Sequence, residues 1–186
     1  MNTKFSEELI RLAKNDLQVR ERLLNENKLA DGYHPEMEKV HKENAQHLRL
    51  IIEKIGFPTI SKVGPEACEA AWLVIQHSIS EPEFMVSSYR LMVENMNDIH
   101  LKHLAYLFDR IQFFRGKPQK FATQLNSDGS IYPVSNKDEI NELRKKHDLP
   151  ELSQEEIIKI PTAEHIKSIE NRDPDYIAWR QKVGWT

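Results

Sequence analysis

Two places in the 186-residue chain gather side chains able to do proton chemistry. The first is Gln76-His77, at the end of the run PEACEAAWLVIQHS. Ala67, Ala70, Ala71, Val74 and His77 fall on one helical stripe, so the imidazole emerges at the C-terminal end of a helix that is apolar nearly all round. Burial lowers a histidine pKa and a helix C-terminus raises it. His77 therefore reads either as a general acid or base, or as a capping histidine bonded to a carbonyl. The second place is HLAYLFDR at 103–110, where His103, Tyr106, Asp109 and Arg110 crowd neighbouring faces of one helix. Asp109 could orient a histidine and Arg110 could hold an anionic group. The plainer alternative is a salt bridge from either residue to Arg20 or Asp16 of another helix.

Just beyond lies RGKPQKFATQ, 115–124, where two glutamines and a threonine sit beside the most apolar part of the chain. Read as a strand, its alternation puts Gln119, Phe121 and Thr123 on one face and Lys120, Ala122 and Gln124 on the other. Gln119 and Thr123 are then expected to face together as a wall beside Asp109 and Arg110, with Gln124 joining them only across a bulge. His100 and His103, with His77 and Asp109, form a conceivable but unspecific ligand set, and no metal or other cofactor is expected. No Gly-rich phosphate loop, G-x-S-x-G elbow or Rossmann unit is present. Arg110, Arg115, Lys117 and Lys120 are spread as on a solvated helix end, so nucleic acid is not an expected partner.

Net charge is −3, with 30% charged and 39% apolar residues, the balance of an ordinary globular protein. The single cysteine, Cys68, leaves no intramolecular disulfide and no Cys-rich metal site. It sits on the mostly apolar helix, where an inert buried thiol is the expectation. No stretch approaches the roughly 18 apolar residues of a membrane span. The charged N-terminus lacks the apolar core of a secretory signal, so no membrane association and a cytoplasmic location are expected.

The elements that must position these residues follow from apolar periodicity and from Pro and Gly punctuation. A first helix is expected over 4–26 and a second from His34-Pro35 to Gly56. A third opens at Gly64-Pro65 and a fourth at Glu81-Pro82, and a fifth carries Leu101 to Phe114. The Asn-Ser-Asp-Gly turn at 126–129 predicts a hairpin between KFATQL and SIYPV, with Pro133 making its second strand an edge. A short helix over 137–147 follows, then a capping box at Ser153 and Glu156, a break at Pro161 and a last helix from Asp173-Pro174. The expected fold is mainly α: a single-domain multi-helix array with one β-hairpin after the fifth helix. Its core would cover 1–152, with a C-terminal helical extension at 153–186.

A set of short motifs adds to this reading: Asp16 and Arg20, Val40 with Asn44, GFPT at 56–59, AAWLVIQH at 70–77, EPEF at 81–84, LFDR at 107–110, and GKPQKFATQ at 116–124. Over about residues 8–152 the chain resembles an uncharacterised bacterial family, a domain of unknown function. The family pattern has Trp where Phe57 stands, an acidic residue near Ile79, and Tyr-Gly where this chain has Phe121-Ala122. The missing acidic residue removes one partner for His77. The resemblance implies site positions without implying a reaction. Asp16, Arg20, Asn44, Gln76, His77, Asp109, Arg110, Gln119 and Gln124 are many polar residues for apolar helices, and a cleft holding a ligand accounts for them economically. The resulting expectation is a hydrolase or group-transfer enzyme, with His77 and Asp109 catalytic. Arg110, Gln119, Thr123, Gln124, Gln76, Arg20 and Asn44 would hold a small polar or anionic molecule. The alternative is a non-catalytic ligand-binding or protein-interaction module with a structural polar network.

Overall fold

The computed structural model describes residues 2–29, 32–171 and 173–186. The chain forms two compact units, residues 1–100 and 101–186.

In the first unit, α1 spans Thr3–Asn25, α2 Pro35–Ile55, α3 Ile60–Val63, α4 Pro65–His77 and α5 Pro82–Glu94. Three of these helices begin on a proline whose missing N–H has no intrahelical partner to lose. His34 caps α2 by accepting the N–H of Glu36 through Nδ1 at 3.2 Å. Gly56, at φ 71°, ends α2 in a conformation that a side chain would oppose. α1 packs chiefly against α4, and both meet α2. Leu9, Leu23, Ala45, Leu48, Ala71 and Val74 are wholly buried, each large apolar side chain contributing about 1.5–3 kcal/mol. The three helices also bring together the buried Asp16 of α1, the buried His41 of α2 and the half-buried His77 of α4.

In the second unit, α6 spans Leu101–Phe114, α7 Ile140–Lys146, α8 Gln154–Lys159, α9 Ile166–Glu170 and α10 Pro174–Val183. The expected capping box forms, with Ser153 and Glu156 satisfying each other's backbone N–H groups. Asp173 caps α10 by accepting from Tyr176 N at 2.9 Å.

The hairpin does not form. Among the described residues no strand exists, and the segment after α6 has only two isolated bridges, a parallel one at Gln119 with Val134 and an antiparallel one at Leu125 with Ile131. The turn itself is present, with Gly129 N donating to Asn126 O at 3.0 Å. The strands fail because their donors are used elsewhere. The N–H groups of Lys120, Phe121 and Thr123, which a ladder would need, donate instead to the carboxylate of Asp109. Between them Ala122 adopts φ 55°, a left-handed conformation that breaks side-chain alternation.

Candidate functional site

Asp16 is 0% exposed, yet it sits on the apolar stripe of α1. Both of its oxygens lie 3.1 Å from Nδ1 of His77 on α4. Oδ2 is also 3.2 Å from Nε2 of the buried His41 on α2. That second approach is an ion-pair distance without the alignment of a hydrogen bond, and among the described residues His41 Nε2 has no hydrogen-bond partner. The two imidazole centroids are 5.2 Å apart and tilted by 44°. On the far side of His41, Tyr33 Oη lies 2.6 Å from Nδ1, and its ring stacks on the imidazole at 5.6 Å.

The electrostatics follow from this arrangement. Burial by itself would raise the Asp16 pKa, but the close contacts and positive potential of His41 and His77 outweigh it and lower the value to about 2. Asp16 is therefore an anion at every physiological pH. An anion at that position makes the facing nitrogens the N–H-bearing ones, so His77 presents Nδ1–H to Asp16 and keeps Nε2 as its acceptor. Burial raises the Tyr33 phenol well above its ordinary range, so it stays a neutral hydroxyl able to donate or accept. Of the two imidazoles, His77 is the more open, its side chain 20% exposed against 9% for His41. Asp16, His41 and His77 each offer one ligand atom, and the three atoms lie within 4.8 Å of one another.

Of the other first-unit residues that the sequence singles out, Asn44 is buried and donates through Nδ2 to Leu12 O at 3.4 Å, tying α2 to α1. Gln76 is half-buried and Arg20 exposed.

Asp109 belongs to the second unit and is 0% exposed. It accepts from Lys120 N at 2.7 Å, Phe121 N at 3.0 Å, Thr123 N at 3.1 Å and Thr123 Oγ1 at 3.0 Å. Burial pushes its pKa up, against the pull of these donors. Gln119, also 0% exposed, closes the same loop. Its Oε1 accepts from Thr123 N at 2.9 Å and Gln124 N at 2.8 Å, while Nε2 donates to Gln124 O at 3.0 Å and Tyr132 O at 2.7 Å. Gln119 and Thr123 meet in a carboxylate-centred loop and not along a strand. Gln124 joins through Nε2, 3.3 Å from Thr123 Oγ1. Arg144 seals the loop from the other side, donating to Phe121 O at 2.7 Å, Ala122 O at 3.2 Å and Pro150 O at 2.7 Å. Arg110 is half-buried, its guanidinium carbon 6.0 Å from the Phe114 ring, with burial lowering its pKa and Nε lacking a hydrogen-bond partner among the described residues.

A cavity of about 440 Å³ opens elsewhere in the second unit, walled by Phe113, Tyr132, Tyr176 and Arg180 among others. None of the catalytic or substrate-binding residues expected from the sequence lines it.

The sequence reading fixes on His77 but assigns it Asp109 as a companion, whereas its bonded partner is Asp16. It omits His41 and Tyr33 altogether. The missed signal is His41 within KVHKENAQHL, on the same stripe as Val40, Ala45 and Leu48. A titratable residue at a core position of a helix calls for a buried partner.

No curated protein and no solved structure matches the chain. Residues 4–167 do match the profile of DUF6624, described as a family of unknown function, and the chain belongs to that family.

Proposed function

We propose that the chain is an enzyme that hydrolyses, or transfers a group from, a small polar molecule, using His77 as the proton-transfer residue and Asp16 as the carboxylate that orients it. One observation carries this reading: a wholly buried, ionised carboxylate grips Nδ1 of a histidine whose side chain is partly open. That contact fixes the tautomer, stabilises the imidazolium formed on proton uptake, and leaves Nε2 to take a proton from water or a hydroxyl. His41, braced by Tyr33, supplies a second imidazole against the same carboxylate. Asp109 is better read as the anchor of its loop, because backbone N–H groups already occupy both of its oxygens.

The alternative, a non-catalytic binding or interaction module, draws its support from the second unit, where Asp109, Gln119 and Thr123 are used up in holding a loop. The test is a survey of ester, amide and phosphoester substrates under multiple turnover, with wild type beside His77→Ala and Asp16→Asn. General-base catalysis is worth about 10²–10⁴-fold, so His77→Ala should lose at least 100-fold while keeping its circular dichroism spectrum. No turnover on any class, or equal rates in wild type and His77→Ala, would reject the reading.

A further inference from the structure

The geometry points to Asp16, His41 and His77 as the protein ligands of a divalent transition-metal ion. This deepens the reading of the same cluster as the reactive centre, and gives it a cofactor class.

Three observations support it. The first is spacing. Two ligands bound at about 2.1 Å to one ion stand about 3.0 Å apart at an octahedral angle and about 3.4 Å apart at a tetrahedral one. The carboxylate oxygen lies 3.1 Å from His77 Nδ1 and 3.2 Å from His41 Nε2, inside that window, and no pair among the three atoms exceeds 4.8 Å.

The second is an orphan. His41 is 7% exposed, and its Nε2, 3.2 Å from the carboxylate oxygen, has no aligned hydrogen bond among the described residues. Buried polar atoms without partners are rare, and an ion between the two groups would satisfy this one. The third is support behind the ligand. Metal-bound histidines commonly use their other nitrogen to hold an oxygen that fixes ring orientation, and Tyr33 Oη stands 2.6 Å from His41 Nδ1. Ion binding takes the Nε2 lone pair, so the hydrogen moves to Nδ1 and Tyr33 changes from donor to acceptor, a reversal that a hydroxyl permits.

The donor set defines the ion class. Two imidazoles and one carboxylate suit Zn²⁺, Fe²⁺, Mn²⁺ or Co²⁺, whereas Ca²⁺ and Mg²⁺ prefer all-oxygen shells and Cu⁺ prefers thiolates. Cys68, the one thiol, is buried with its pKa raised by burial to about 12 and is not part of the group. Three protein ligands leave at least one position open, and a water held there becomes a stronger acid. In the loaded cluster the ion therefore takes over the water-activating role that His77 has in the metal-free one.

The test titrates the full chain, stripped with chelator, with Co²⁺ and follows ligand-field absorption, then displaces it with Zn²⁺. The expected result is one Co²⁺ per chain, with affinity reduced more than about 100-fold in His77→Ala and His41→Ala and about 10-fold in Tyr33→Phe. Circular dichroism checks that each variant is folded, and His77→Ala, altering the most open member, guards against loss of fold in the other two. A control lacking His147 and His165 should bind as wild type does. Absence of a Co²⁺ spectrum, or equal binding in wild type and His77→Ala, would overturn the proposal. Binding is read apart from turnover: a chain that turns over substrate without an ion keeps the acid–base reading and loses this one. A chain that binds the ion without turnover does the reverse.

Discussion

Asp16 Oδ2 stands 3.1 Å from His77 Nδ1 and 3.2 Å from His41 Nε2, so one oxygen of a wholly buried carboxylate serves imidazoles from two other helices. A lone buried carboxylate would tend to take up a proton and become neutral. Here the two histidines hold it as an anion, and the charge joins α1 to α2 and α4.

Acid should weaken the first unit through this one group. The folded-state pKa of Asp16, about 2, lies below its ordinary 3.8. Its contribution is thus complete above about pH 4 and is lost as pH falls from 3.8 toward 2, amounting to about 2 kcal/mol. Urea unfolding should show Asp16→Asn less stable than wild type by about that amount at neutral pH, with the gap narrowing as the pH approaches 2. A gap that stays constant across that range would remove the charge from the explanation.

Asp109→Asn should loosen the loop at 120–124. An amide presents an NH₂ group to backbone donors that now meet a carboxylate, which leaves buried N–H groups unsatisfied at a cost of about 3 kcal/mol. Hydrogen exchange is the sensitive reading: the amides of Lys120, Phe121 and Thr123 should lose protection first. Unchanged protection at those three positions would mean that Asp109 does not organise the loop.

Ala122 gives a sharper case, because its φ of 55° invites glycine while its methyl group packs in a buried cluster with Val134, Ile140 and Ile160. Relief of left-handed strain is worth about 1–2 kcal/mol. The lost methyl burial costs about 0.8 kcal/mol, and the added backbone freedom of glycine another 0.5–1 kcal/mol. Ala122→Gly should therefore be nearly neutral, within about 1 kcal/mol by chemical denaturation. Ala122→Val, which adds a β-branch to a left-handed residue, should cost more than about 2 kcal/mol. Equal stability of the two variants would refute this balance.

The helices were legible because their signals are local. Pro35, Pro65, Pro82 and Pro174 each open a helix, Gly56 closes one, and the Ser153 and Glu156 cap is formed as the spacing predicts. The site was less legible because its contacts are not local. His77 meets Asp16 across 61 residues, and nothing in the run around either residue specifies the other. The hairpin misled for a related reason. KFATQ alternates like a strand, but its N–H groups are claimed by a carboxylate 11 to 14 residues earlier. A period-2 pattern records side-chain polarity and carries no information about which acceptor a backbone donor will find.

The cluster also keeps a record of assembly. Residues 16, 41 and 77 come from α1, α2 and α4, and they meet only when the three helices dock. A collapsed ensemble with its helices intact but undocked would match the native chain in far-ultraviolet dichroism and still leave these imidazoles in water. The ring resonances of His77 and His41 thus serve as a gauge of tertiary order, shifted when the three helices have locked and ordinary when they have not.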